Sequence, residues 1–458
     1  MTNVYDYAQN NRDRFLQQLI ELVRIPSVGT DPARRADTLR AAEWIADDMR
    51  RIGLNNVAIL PTEGNPAVYA DWLEAGDQAP TVLIYAHYDV QPAELSDGWD
   101  SDPFEPTERN GVLYGRGIAD DKSNVIITLK AAESLLASEE GCPVNLKFLF
   151  EGEEEGGSPN LPGFIRDYKD RLQADMAIIA DGGLEKPDEP MIIYAMRGIV
   201  AFEVRITGPI TDLHSGVHGG SVHNPAQVIA EMVAKLHNED GSIAVPGFYD
   251  DVENLDDAER AEVQKSDMSQ QEWDQNVGAP KDWGEPGYSL AERTGSRPTL
   301  EINGIYGGYI GDGFKTVIPS KAMAKISCRL VANQKPDKIY EMVTSYIRQI
   351  APPTVHVEFQ KHGDGAPIRV PLDSPIVQAL SRAFKLHWTQ EAAYKRTGGS
   401  IPIVAVLQDE LNLPCVPLGF SLADSGIHGP NENYHVDMFH KGVDTTIRFL
   451  QEIAAASS

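Results

Sequence analysis

Five short stretches of the chain carry side chains that could bind divalent cations and move protons. His87-Tyr88-Asp89 sets an imidazole and a carboxylate two positions apart. At a strand end both project to the same side and can reach one metal shell, although a merely hydrogen-bonded polar pair has the same spacing. Gly115-Arg116-Gly117-Ile118-Ala119-Asp120-Asp121-Lys122 places adjacent carboxylates in a glycine-flanked loop ahead of a helix, where free backbone N–H groups favour negative charge. Helix capping by Asp121 would occupy only one of them. The other is left to bind, and its two oxygens can each hold one of two metals. Glu151-Gly152-Glu153-Glu154-Glu155 crowds four carboxylates into five positions. Their mutual repulsion raises pKa values unless cations are present, a solvated acidic turn being the competing reading. Asp181-Gly182-Gly183 and Ser425-Gly426-Ile427-His428-Gly429-Pro430 complete the set, and each alone reads as turn chemistry.

The elements that must position these stretches follow from apolar patterning. Residues 12–24 and about 39–52 fit helix faces ended by Pro26 and Gly53. Residues 81–86 form a short apolar run typical of a buried parallel strand, and its end delivers His87. Residues 123–137 read as a helix, and 144–150 and 176–180 as strands. Strand and helix alternate, which predicts an α/β layer with a mostly parallel sheet whose ligand sites lie beyond the carboxyl ends of the strands. His87, Glu154, Glu155 and Asp181 all fall just past such ends.

From about residue 198 the order becomes strand 199–206, helix 225–237, strands near 300 and over 322–330, helix 337–350 and strand 355–359. This β-α-β-β-α-β order is that of a ferredoxin-like α+β domain. A polar, acidic insertion over 239–297, with Trp273 and Trp283, interrupts it and carries no functional reading. After about residue 398 the first pattern returns, with the apolar run 401–407, then 416–418, then a closing helix near 440–453. The expected organisation is a catalytic domain of residues 1–197 and 398–458, with residues 198–397 inserted into it.

Composition bounds the function. At 458 residues the chain exceeds the size of a single core, so two domains are expected. The 42% hydrophobic and 24% charged content is that of a folded globular protein. With 68 acidic against 40 basic residues, the formal charge of -28 repels phosphate backbones and anionic membranes, so neither nucleic acid nor a membrane is expected as a partner. No apolar run approaches the ~20 residues that span a bilayer, and the polar opening Met1-Thr2-Asn3-Val4-Tyr5-Asp6 is unlike a signal peptide, so a cytoplasmic location is expected. Cys142, Cys328 and Cys415 are widely spaced and odd in number. They predict neither a disulfide framework nor a thiolate zinc site, which leaves any metal to His and carboxylates.

Taken together these motifs resemble the co-catalytic zinc peptidases that include carnosine dipeptidases, bacterial dipeptidases, glutamate carboxypeptidase, aminoacylase and succinyl-diaminopimelate desuccinylase. The resemblance covers nearly the whole chain. It is strongest to the cytosolic nonspecific dipeptidase (carnosinase-like) branch, through Arg197-Gly198, Asp212-Leu213-His214-Ser215-Gly216, Gly219-Gly220-Ser221-Val222-His223 and Gly398-Gly399-Ser400-Ile401-Pro402. It implies a zinc-peptidase catalytic domain with an inserted lid and dimerisation domain, and two divalent metal ions, zinc or alternatively manganese or cobalt. Asp120 would bridge both metals, His87 and Asp181 would complete one, and Glu155 and His428 the other. Glu154 would be the general base acting on a metal-bridging hydroxide, and Asp89 would orient His87. His214 would stabilise the oxyanion in the active site of the neighbouring subunit of a homodimer, and Arg329 and Ser400 would hold the substrate carboxylate.

Three departures from the pattern stand out. Ser123 replaces the usual Gly after Lys122, Glu153 stands where an apolar residue is usual, and Thr397 stands where the carnosinase-like members carry Glu. The expected substrate is a dipeptide or similarly small amide, and Thr397 favours the alternative of an N-acyl amino acid deacylase.

Overall fold

The structure, a computed structural model, describes residues 3–399 and 402–457. The chain divides into two compact units. One runs up to Tyr194 and takes up the chain again over Val370–Tyr394 and from Pro402 onward; the other comprises Ala195–Arg369 and the segment starting at Lys395.

The first unit is built on a six-stranded sheet with strands in the order Asn55–Leu60, Ala67–Trp72, Asn145–Glu151, Thr81–His87, Met176–Ile179 and Cys415–Pro417. The last four are parallel to one another, while the first two pair antiparallel with each other and Ala67–Trp72 pairs antiparallel with Asn145–Glu151. Val82, Leu83, Ile84, Tyr85 and Ala86 are all buried, as a strand covered on both faces requires. The helix Ser123–Ala137 is buried over nearly its whole circumference, from Ser123 to Leu135.

Apart from shifts of a few residues at the boundaries, the division differs from the sequence expectation at one place. The expected insert of 198–397 included residues 370–394, which belong to the first unit. Helix Pro375–His387 buries Ile376, Val377, Ala379, Leu380, Ala383 and Phe384 and packs against the closing helix Val436–Ser457. Arg382 Nε donates to Glu452 Oε2 at 2.5 Å, and Trp388 Nε1 to Thr445 Oγ1 at 3.1 Å. No change of composition marks this return, so the sequence placed it too late. The apolar run that begins near residue 401 is part of a helix, Pro402–Leu411.

The second unit has a four-stranded antiparallel sheet in the order Thr299–Gly307, Lys321–Leu330, Gly198–Thr207 and His356–Gly365. Helices Pro225–Ala234 and Pro336–Ile350 supply Val228, Ile229, Met232, Ile339, Val343 and Ile347 to its core, against Val200, Phe202, Val204 and Ile326 of the sheet. This is the ferredoxin-like order read from the sequence. The insertion is not a loose loop. Ile243, Val245 and Phe248 enter the same core, and the short helices Gln270–Asn276 and Leu290–Gly295 each begin with a capping box.

One polar cluster ties the helices of the first unit together. Lys130, fully buried, lies 2.6 Å from Asp48 Oδ2 and 3.2 Å from Glu133 Oε2, while Arg51 and Arg14 reach the same carboxylates from the surface. Removing the central cation leaves two carboxylates without their buried partner. Lys130→Met should therefore destabilise the protein by about 3–5 kcal/mol, measured as a shift in the urea unfolding transition. A variant as stable as the parent would contradict this role.

Candidate metal centre

His87 closes its strand with the ring fully buried. Its Nδ1 lies 3.1 Å from the Asp89 carbonyl oxygen and 3.5 Å from Asp89 Oδ1. This fixes the ring and leaves Nε2 facing Asp120 Oδ1 at 2.9 Å. The other oxygen of Asp120 lies 3.0 Å from His428 Nε2, which is also 3.1 Å from Glu155 Oε2. Asp181, two residues past the strand Met176–Ile179, falls in the first of these two groups. The potential ligand atoms of His87, Asp120 and Asp181, and those of Asp120, Glu155 and His428, each lie within 4.8 Å of one another. Asp120 belongs to both groups.

Each neighbouring carboxylate holds a loop. Asp89, buried, accepts the backbone N–H groups of Glu154 and Glu155 at 3.1 and 3.2 Å. Asp121 accepts the His87 N–H at 3.1 Å and the Asn124 amide at 2.6 Å. Glu153 accepts from Asn65 N at 3.0 Å and from the Asn160 amide, so it staples the turn and stands apart from the ligand groups. Lys122 is buried and donates to the carbonyls of Leu22 and Ile25, near the end of helix Arg12–Val23. His428 takes φ +63, a conformation uncommon for a residue with a side chain, in a turn closed by Gly429 N donating to the Gly426 carbonyl.

The donor set fits divalent cations. Two imidazoles and three carboxylates suit zinc. Burial pushes Glu155 and Asp181 up to about 7, and the Asp120 charge adds to it. Burial also raises Glu154, against the pull of His87. Burial alone would depress the His87 ring, but its hydrogen bonds to Asp120 and Asp89 outweigh it and hold it well above the ordinary range. The hydrogen bond to Asp120 likewise raises His428. Without metal, protons take the places where cations would balance this crowd of carboxylates.

Comparison with known proteins decides the family: the model of "Peptidase family M20/M25/M40" matches residues 83–452. The chain belongs to that family. It is 30% identical to the Cys-Gly metallodipeptidase dug1 of Schizosaccharomyces pombe, over 100% of this chain and 99% of that protein. It superposes on the crystal structure of the M20 family metallo-carboxypeptidase Sso-CP2 from Sulfolobus solfataricus with a TM-score of 0.83 and 30% identity, covering 96% of this chain and 99% of that one. For the crystal structure of human carnosine dipeptidase 1 the TM-score is 0.77 and the identity 29%, covering 99% of this chain and 98% of that one.

Of the seven expected site residues in the first unit of this M20 chain, His87, Asp89, Glu154, Glu155 and Asp181 follow strand ends of the six-stranded sheet, while Asp120 and His428 lie in loops beside the paired strands Val112–Tyr114 and Asn433–His435. Two of the remaining three belong to the second unit. His214 belongs to the second unit, where it is exposed and its Nδ1 accepts the Gly216 N–H at 2.9 Å, capping the short helix Ser215–His218. Arg329 is on strand Lys321–Leu330 and lines a cavity of about 570 Å³ with Arg197, Glu301 and Thr299. Ser400 lies outside the described residues. Sequence reasoning passed over Glu432, Arg116 and Gln91. Gln91 donates to Glu155 Oε2 at 2.7 Å, and the only signal for Glu432 was its place four residues after His428.

The raised carboxyl groups give the metal-free protein a defined pH response. Glu155 and Asp181 have ordinary values of 4.5 and 3.8 and are pushed up to about 7 on folding, so at intermediate pH the folded chain holds protons that the unfolded chain has released. The stability they contribute is complete below about pH 4 and is lost as pH rises through about 7. The thermal unfolding midpoint of metal-free protein should fall between about pH 5 and 8, and added divalent cation should flatten or reverse that fall. A midpoint that rises over this range without metal would contradict the assignment.

Proposed function

We propose that these groups form the two-metal active site of a dipeptidase. The observation that carries this reading is the sharing of Asp120, whose two oxygens face different imidazoles at 2.9 and 3.0 Å. The chain is a metal-dependent peptidase of the M20 family, and dipeptide hydrolysis is favoured by relatives named as dipeptidases over nearly their whole lengths. Those names weigh against the deacylase alternative, despite Thr397.

Asp120 would hold both cations, with His87 and Asp181 on one and Glu155 and His428 on the other. Zinc suits the donors, with manganese and cobalt as alternatives. When bound, such a pair supplies Lewis acidity and makes water a nucleophile near neutral pH. Glu154 takes the proton of the attacking water and returns it to the leaving amine; its raised pKa favours that exchange. Asp89 keeps the His87 ring in one orientation and anchors the backbone of Glu154 and Glu155. Arg329 and Ser400 hold the substrate carboxylate, an Arg being able to do so through two parallel hydrogen bonds. His214 of the partner subunit donates to the developing oxyanion in a homodimer. Its exposed position on a loop with Gly216, Gly219 and Gly220 supports that role. The free, buried Cys142, Cys328 and Cys415 support a cytoplasmic setting.

Glu154→Gln should lower kcat about 10²–10⁴-fold while leaving bound metal unchanged, checked by steady-state kinetics and metal analysis. Turnover of a dipeptide should exceed that of its N-acetylated form; the reverse order would restore the deacylase reading. For His214, chains carrying His214→Ala and Glu154→Gln, each nearly inactive, should regain activity when their subunits are exchanged. One site of the mixed dimer then combines an intact Glu154 with an intact His214 of the partner subunit. Mixed dimers shown to form without recovered activity would place His214 outside the neighbouring site.

A further inference from the structure

We propose that Glu432, acting through Arg116, is a positioning residue that sets the spacing between Asp120 and His428. The two ligand candidates are 308 positions apart in the chain and sit on separate loops. Glu432 is fully buried, and the four hydrogen bonds its side chain accepts all come from residues 116–120 of the Asp120 loop. Its Oε1 accepts from the backbone of Ala119 and Asp120 at 2.8 and 3.0 Å, and its Oε2 from Gly117 N at 3.0 Å and Arg116 Nη1 at 2.7 Å. Arg116 then reaches the other loop: Nη2 donates to the carbonyls of His428 and Gly429 at 3.2 and 3.1 Å.

One carboxylate and one guanidinium therefore join both loops. The join is continuous with the backbone, since Gly115 N donates to the Glu432 carbonyl at 2.9 Å and Asn433 pairs with Tyr114. The guanidinium lies over the Trp99 ring, 5.3 Å from its centroid, which fixes the plane of its fork. The loop approaches too closely for any other residue at Gly117, where φ is +79 and a Cβ would fall 2.1 Å from Val90 Cγ1.

The arrangement is costly to build and specific in what it holds. A buried carboxylate with one guanidinium and three amides is satisfied, yet an apolar replacement would give as much stability. What only the charged pair supplies is a fixed distance between two backbone segments. His428 takes its φ of +63 with its own carbonyl held by Arg116. Ligand side chains must be held to within about 0.5 Å, and the partners that orient them weigh on affinity nearly as much as the ligands themselves. Glu432 touches no reacting atom in this scheme; it acts through the Asp120 backbone and Arg116.

This inference rests on the reading of Asp120 and His428 as ligands, and the test separates the two. Zn²⁺ affinity of the metal-free full chain is measured by competition with a chromophoric chelator for the parent, His428→Ala, Glu432→Gln, Arg116→Met and the Glu432→Gln/Arg116→Met double variant. Glu133→Gln, a buried carboxylate in the Lys130 cluster, serves as the structural control. Glu432→Gln turns an amide donor toward an N–H or a guanidinium, so it should weaken the more weakly held Zn²⁺ about 10–100-fold. Its kcat should fall by a similar factor with KM within about twofold, while the metal-free unfolding temperature falls no more than in Glu133→Gln, which keeps parental affinity. Arg116→Met should match it, and the double variant should lose no more than the worse single one, since both break one link. Parental Zn²⁺ affinity in Glu432→Gln, or equal loss of affinity in Glu133→Gln, overturns the proposal. Parental Zn²⁺ stoichiometry in His428→Ala overturns the ligand reading itself.

Discussion

Everything in the first unit bends to the problem of holding several carboxylates in one buried place. Asp120, Glu154, Glu155 and Asp181 cannot all stay ionised side by side without positive charge among them. In the protein alone the charge comes from two imidazoles, and Asp120, facing both, is held below the ordinary carboxylate range although burial works against it. For Glu155, although it lies 3.1 Å from His428 Nε2, and for Asp181, burial with the Asp120 charge outweighs the imidazoles and pushes both up to about 7. Divalent cations would solve the same problem with more charge, held by the ring nitrogens and the carboxylate oxygens together, which favours reading this arrangement as a metal centre over a salt-bridge cluster.

The constraint passes outward through residues that bind nothing themselves. Each helper acid accepts from backbone amides: Asp89 from the Glu154 and Glu155 turn, Asp121 from His87, Glu432 from the Asp120 loop. Behind them Glu151, raised to about 8 chiefly by burial, takes hydrogen bonds from Tyr85 and Ser158 and so closes the acidic turn on its own strand. The parallel strands set where the turns start, and these carboxylates set where they stop. A sheet edge alone brings loops together only to within several ångströms; the hydrogen bonds bring ligand atoms to contact.

This division explains what the sequence made legible. His87-x-Asp89, the Asp120-Asp121 pair and the Glu154-Glu155 pair were readable because strand and turn spacing is local, and a period of two or a glycine-flanked loop shows in a few residues. The alternation of strands and helices showed the parallel sheet for the same reason. Glu432 was not readable: nothing near it in the chain says that its partners are the amides of Gly117, Ala119 and Asp120. Nor was the return of residues 370–394 to the first unit. Helix Pro375–His387 has an apolar face that either unit could have covered, and only tertiary packing against Val436–Ser457 decides it.

The two units also divide the charges. The first gathers anions for cations to hold, and a dipeptide's own carboxylate would find no welcome among them, least of all in a chain of formal charge -28. Recognition of that group needs local positive charge elsewhere. The second unit has it: Arg197 and Arg329 line one cavity, close enough that burial, with Arg329 adding, lowers Arg197 to about 10. That value still leaves Arg197 charged at neutral pH, and Glu301, lining the same cavity, works against the repulsion between the two guanidinium groups. In the first unit crowded carboxylates raise one another until cations balance them, whereas in the second the two guanidinium groups share their cavity with Glu301, so opposite charge is already at hand.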